Sequence, residues 1–108
     1  MAVDVRRFEV YLVNLDPTVG SEILEARPCV VVSPDEMNRH VRTVVIAPMT
    51  IASRPYPSRV AVHFEGKDGQ VVIDQICTVD EVRLVQKLGA LRPDETSAVL
   101  DEIGRAHV

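Results

Sequence analysis

Tryptophan is absent from the 108 residues, and aromatic side chains of every kind make up only 4%. Extended platforms on which nucleic-acid bases stack are therefore excluded. Cysteine occurs twice, at Cys29 and Cys77, a spacing that matches no metal site. Each lies in an apolar run, which points to two buried, reduced thiols and not to a disulfide. His40, His63 and His107 stand singly. No metal centre and no cofactor is expected from them. The apolar runs, such as residues 44–49, fall far short of the ~20 residues a membrane-spanning helix needs. No apolar stretch follows Arg6-Arg7, so a signal peptide is not expected, and the chain reads as cytosolic with no membrane partner. A nucleophile elbow, a phosphate-cradling glycine loop and a metal-binding helix are missing too.

What is present is an ordinary globular composition, 46% hydrophobic and 26% charged, in a length that suits one domain over residues 1–108. The formal net charge of −4 argues against a wholesale nucleic-acid binder. That total hides an asymmetry. Residues 1–63 carry seven Arg and seven Asp or Glu, whereas residues 64–108 carry five basic and nine acidic side chains. Within residues 27–59 five arginines (27, 39, 42, 54 and 59) face only Asp35 and Glu36, a local +3. Arginine's planar fork suits bidentate phosphate contact, although solvated loop arginines give the same pattern.

Phe8, Val10 and Leu12 alternate with Glu9 and Tyr11, the period of a strand, and Asn14-Leu15-Asp16-Pro17 supplies turn chemistry. Residues 28–33 form a short apolar run too rich in valine for a helix. Residues 35–40 suit one helical turn capped by Ser33 or Asp35. A strand over 43–47 is expected to stop at Pro48, with a loop from 49 to 58. Residues 59–64 alternate again, Gly66-Lys67-Asp68-Gly69 reads as a hairpin turn, and 70–79 returns as a long strand bent at Asp74-Gln75. A further strand is expected over 85–91. Pro93 then opens a helix in which Thr96, Val99, Leu100 and Ile103 keep helical spacing. Short strands followed by a terminal amphipathic helix predict a mainly β fold, a small and strongly bent antiparallel barrel with a C-terminal helix.

The chemistry available to such a fold lies where strands meet loops. Glu22 and Arg27 flank the first long loop, Thr50 follows Pro48, and Asp74 interrupts an apolar strand. Arginine and threonine at strand ends can hold a phosphate; Asp74 with Gln75 reads equally as a buried polar pair satisfying backbone groups.

Asn14-Leu15-Asp16-Pro17-Thr18-Val19-Gly20-Ser21-Glu22 followed by Arg27-Pro28 resembles the opening of the MazF/PemK/Kid toxins. The resemblance continues through Val45-Ile46-Ala47-Pro48-Met49-Thr50, Tyr56-Pro57, Val72-Ile73-Asp74-Gln75 and Val79-Asp80-Glu81-Val82-Arg83-Leu84. It implies an SH3-like barrel with a C-terminal helix. It implies also a homodimeric, ribosome-independent endoribonuclease, the toxin of a toxin–antitoxin pair. The implied substrate is single-stranded RNA, cleaved without metal by attack of the 2′-OH on its own 3′ phosphate. A 2′,3′-cyclic phosphate and a 5′-OH end result. Arg27 matches the family's catalytic arginine, Thr50 its partner threonine, and Glu22 a glutamate that acts as a base or orients the arginine. Ser21, Arg39, Arg54, Arg59, Asp74 and Gln75 are the expected RNA contacts. The implied partner is a MazE-like antitoxin whose acidic tail covers the RNA cleft, in a complex that binds operator DNA.

The pattern is broken in places. Ile23-Leu24-Glu25-Ala26 stands where many members carry glycine, glutamine and basic residues, so a stiffer loop is expected, with Glu25 expected to repel phosphate. Ile73 and Ser21 replace an arginine and a histidine found in some members, which weakens an acid–base role for Asp74. A CcdB-like gyrase-binding toxin is the rival reading, but that activity resides in a Trp-Gly-Ile motif and this chain has no Trp. A catalytically idle member that binds only RNA or antitoxin is the other.

Overall fold

The computed structural model describes residues 4–15, 26–51 and 58–106. Its strands are β1 (Glu9–Asn14), β2 (Ala26–Val31), β3 (Thr43–Ile51), β4 (Arg59–Phe64), β5 (Lys67–Val72), β6 (Cys77–Asp80) and β7 (Leu84–Ala90). Two α-helices accompany them, α1 (Asp35–His40) and α2 (Pro93–Ala106). All pairings are antiparallel, in the order β4-β5-β3-β2-β1-β7 with β6 also on β3. The mainly β fold with a C-terminal helix is as expected. The sheet does not close, because β4 and β7 stay at opposite ends of the order.

Strand β3 organises the molecule. One of its edges holds β2, and Ile46 pairs with Val31 there while pairing with Cys77 of β6 on the other edge. Further along that second edge Met49 pairs with Val71 of β5. Three steps along β3, from Ile46 to Met49, thus face six along the partner, from Cys77 back to Val71. The three extra residues form the corner, a 3-10 turn over Ile73–Gln75. The bend expected at Asp74-Gln75 is therefore real, but it splits residues 70–79 into two strands. Asp74 and Gln75 are both exposed, not a buried pair.

Other boundaries depart from expectation for identifiable reasons. Strand β3 runs through Pro48 to Ile51, because β5 and β2 hold it on both sides of the proline. The β4–β5 turn is Glu65-Gly66, two residues earlier than the Lys67-Asp68 centre that the glycine pattern suggested. Both residues have positive φ (50° and 76°), the primed geometry that matches strand twist, and Phe64 pairs with Lys67 across it. Helix α1 has no side-chain cap. Ser33 instead donates to Asn38 Oδ1 and accepts from the Val45 N–H (3.1 Å), and Asp35 accepts from the Arg7 N–H. Cys29 is fully buried, but Cys77, on a strand that among the described residues pairs only with β3, is exposed. The expectation of two buried thiols holds for one of them.

Two apolar clusters occupy opposite faces of β1–β3. The larger joins Val10, Val30, Ala47, Val62 and Val71 to Val99 of α2; the other joins Tyr11, Val13, Cys29, Val31, Val44 and Ile46. Both faces of β1 are thus covered, and the alternation read there from Phe8, Val10 and Leu12 marks only one of them. Glu9 is buried and satisfied: it accepts from the Arg6 N–H (2.8 Å) and the Tyr11 hydroxyl (3.3 Å) and pairs with Lys87. Burial, with Glu9 beside it, pushes the Tyr11 phenol up to about 12. The buried Glu95 ties α2 down, accepting from the Arg92 N–H at the helix start (3.1 Å) and from the His63 N–H of edge strand β4 (2.7 Å).

Candidate functional site

The β2–β3 ladder covers Val31↔Ile46, Val30↔Ala47 and Cys29↔Pro48, and ends there. Pro28 on one strand and Pro48 on the other lack N–H donors where the ladder stops. Extending the register by two residues from Cys29↔Pro48 would bring Arg27 opposite Thr50. Thr50 pairs instead with Gln70 on the far edge, and Arg27 with Val13 of β1. The strands part, leaving a cleft of about 550 Å³ between the start of β2 and the end of β3.

Arg27 and Pro28 line one side of this cleft, Met49, Thr50 and Ile51 the other, and the tip of the β4–β5 hairpin closes it. Counting by twos from the paired Cys29 and Pro48 puts Arg27 and Thr50 on one face of the sheet. Both are exposed. Arg27 has no hydrogen-bond or ion-pair partner for its guanidinium among the described residues, so all five of its N–H donors remain available. Its positive charge partly opposes the effects of burial and of Cys77, which together push the Cys29 thiol up to about 12.

The predicted site residues fall into three groups. Arg27 and Thr50 come together in the cleft. Asp74 and Arg59 meet at the corner, 3.6 Å apart, with the Ser58 hydroxyl donating to Asp74 (3.2 Å). Gln75 is exposed in the same turn and Arg39 is exposed on α1; none of these four lines the cleft. Glu22, Ser21 and Arg54 lie outside the described residues, as do loop residues 23–25 and most of 51–58.

Sequence reasoning missed the hairpin tip. Glu65, Lys67, Asp68 and Gly69 all line the cleft. Read as a turn, Lys67-Asp68-Gly69 carried no function. The signal was the glycine. A Cβ on Gly69 would lie 2.7 Å from the Thr50 carbonyl oxygen, so only a residue without a side chain lets β5 approach β3 at Thr50.

A family model described as the PemK-like, MazF-like toxin of type II toxin–antitoxin systems matches residues 6–106. The chain belongs to this family. Its fold is similar to that of an endoribonuclease from a mycobacterial species, at 26% identity and a TM-score of 0.82, covering 99% of this chain and 94% of that one. A mycobacterial endoribonuclease in complex with its cognate antitoxin matches at 27% identity and 0.81, covering 95% of this chain and 94% of that one. A MazE–MazF complex from Deinococcus radiodurans shares the fold at 20% identity and 0.79, over 97% of this chain and 96% of that one. No helix among the described residues of this PemK/MazF-family toxin is long and apolar enough to cross a membrane.

Proposed function

We propose that this toxin is an endoribonuclease that cleaves single-stranded RNA without a metal ion. In this reading the 2′-OH attacks the adjacent 3′ phosphate, leaving a 2′,3′-cyclic phosphate and a 5′-OH. The observation that carries it is the cleft between β2 and β3, in which an arginine without a side-chain partner among the described residues and a threonine hydroxyl flank a space open to a strand of RNA. The reaction builds negative charge on the phosphorane. Arg27 supplies fixed donors for that charge, and the Thr50 hydroxyl holds a phosphate oxygen. Glu22 is assigned by family resemblance as the base or as the group orienting Arg27. Ser21, Arg39, Arg54, Arg59, Asp74 and Gln75 are assigned to RNA contact on charge pattern and resemblance; Arg59 enters that role already paired with Asp74.

The cognate partner in this reading is a MazE-like antitoxin whose acidic tail competes with RNA for the cleft, in a complex that binds operator DNA. The antitoxin-bound mycobacterial and Deinococcus structures support that partner. The toxin itself acts as a homodimer.

Purified toxin incubated with a synthetic single-stranded RNA tests the reading. Cleavage is expected to continue in chelator, since no group of three or more His, Cys, Asp or Glu gathers among the described residues. Products with 5′-phosphate ends, or loss of cleavage in chelator, would overturn the mechanism.

Gly69 provides a second test. Gly69→Ala drives a methyl group against the Thr50 carbonyl, and the backbone of β3 must give way. A stability loss of about 1–3 kcal/mol is expected. A fall in kcat larger than any change in KM should accompany it, measured below the melting transition. Wild-type kcat in the alanine variant would show that the position of Thr50 does not matter.

A further inference from the structure

The cleft carries a charge that phosphate binding does not explain. Asp68 lines it together with Arg27 and Thr50. Thr50 pairs with Gln70, and Asp68 stands two residues before Gln70 on β5. Asp68 therefore shares the face of Thr50 and Arg27, not the core-facing side of the sheet. One strand across and two residues along, its α-carbon lies about 8 Å from that of Thr50. An ionised carboxylate at that place repels any phosphate that approaches it. It has no proton to give and can only accept hydrogen bonds.

Asp68 is nevertheless held in one orientation. Its cross-strand neighbour is His63, and Asp68 Oδ1 lies 2.9 Å from the ring Nδ1. Because the carboxylate only accepts, Nδ1 is the donor. His63 is fixed in turn, since its backbone N–H donates to Oε2 of the buried Glu95 on α2 (2.7 Å). Asp68 Oδ2 has no partner among the described residues, and the side chain is 86% exposed. An oriented acceptor beside a bound strand of RNA meets two kinds of donor, ribose hydroxyls and the N–H groups of unstacked bases. The attacking 2′-OH must lie against the phosphate that Thr50 holds, whereas the Watson–Crick edge of a base reaches further. Adenine, cytosine and guanine each present an exocyclic amine on that edge; uracil presents carbonyl oxygens, which a carboxylate repels.

We infer that Asp68 is a base-selecting residue. It accepts a hydrogen bond from the exocyclic amine of a base next to the cleaved linkage, and it disfavours uracil at that position. His63 is its positioning residue and does not touch the RNA. This rests on the ribonuclease reading and deepens it, because Arg27 and Thr50 hold a phosphate that is the same in every sequence.

The test uses the full-length toxin and a short RNA with one mapped cleavage site. The base on either side of the cut is replaced in turn by the analogue that lacks only the amine: purine for adenine, hypoxanthine for guanine, 2-pyrimidinone for cytosine. For the wild type one such deletion should lower kcat/KM roughly tenfold to a hundredfold, the range for a hydrogen bond to a charged group. Asp68→Ala should lose that same factor on the native RNA, and the deletion should then have no further effect. The same variant should bind an all-uracil oligonucleotide more tightly than the wild type does, because a repulsive charge has gone; a merely structural role would weaken both RNAs alike. His63→Val should lose the amine preference, and His63→Asn, which places an amide N–H near the position of Nδ1, should keep most of it. Glu65→Gln removes an equal charge from the same cleft and should leave the amine effect at its wild-type size. Uracil on both sides of the mapped cut, no loss on deleting either amine, or losses that multiply in Asp68→Ala would overturn the inference. If the wild type cuts no RNA, the ribonuclease reading fails separately. Anisotropy titration of 2′-O-methyl oligonucleotides of cytosine and of uracil then decides the Asp68 contact alone, and the same affinity ratio in wild type and Asp68→Ala rejects it.

Discussion

Replacing Arg27 by alanine is expected to lower the rate of RNA cleavage ~10²–10³-fold, the usual loss when one preorganised donor to a developing oxyanion is removed. The fold should be untouched. Arg27 is exposed at the start of β2 and contributes no side-chain bond among the described residues, so its removal leaves no buried group unpaired. Arg27→Lys keeps the charge but not the fork. An ammonium cannot donate two parallel bonds to one phosphate, and little activity should return. Thr50→Ala should also fall sharply, whereas Thr50→Ser retains the hydroxyl and should lose much less. Each variant is checked by circular dichroism before its initial rate on a single-stranded RNA is measured, with product ends identified. An Arg27→Ala toxin that cuts at the wild-type rate rejects the assignment.

The two residues of that prediction were legible in the sequence one at a time, through the motif blocks around Arg27-Pro28 and Pro48-Met49-Thr50. Their juxtaposition was not. It depends on the Cys29↔Pro48 register and on the ladder ending there, and both are properties of strand pairing. Local signals did well where local forces decide. Residues 35–40 fold as the expected helix, and Pro93 starts α2 as expected. They failed where tertiary pairing overrides propensity. Pro48 reads as a strand end, yet neighbours on both edges carry the strand through it. Glu65 is an unpromising residue for positive φ, but the Phe64–Lys67 pairing demands a two-residue turn there. Placing the turn two residues too late hid Lys67 as a turn residue, when it is the first residue of β5 and lines the cleft.

Alkaline pH is expected to unfold this toxin early, and the group responsible lies two residues from Arg27. The Cys29 thiol is fully buried between β1 and β3, and burial first, then the nearby Cys77, raises it from an ordinary 9.0 to about 12. The buried Tyr11, opposite Cys29 in the β1–β2 ladder, is raised from 10.0 to about 12. Both groups hold their protons longer folded than unfolded, so they contribute full stability below pH 9. Above that the unfolded chain ionises Cys29 first and gains on the native state. Unfolding free energy should fall by up to about 1.4 kcal/mol per pH unit from 9 to 10, and by up to twice that from 10 towards 12. Summed to pH 12 the thiol alone accounts for a loss on the order of 4 kcal/mol, a large part of a small domain's stability. Urea unfolding at pH 7, 9, 10 and 10.5 measures the slope. Cys29→Ala should be less stable than the wild type at pH 7, because packed sulfur is lost, and should show a flatter line between pH 9 and 10. A thiol reagent provides the kinetic counterpart: Cys77 should react at once in native protein and Cys29 only as the protein unfolds. Parallel lines for the two proteins between pH 9 and 10 would mean that Cys29 ionises within the fold. In that case β2, and Arg27 with it, would tolerate a charge that the packing around Cys29 should exclude.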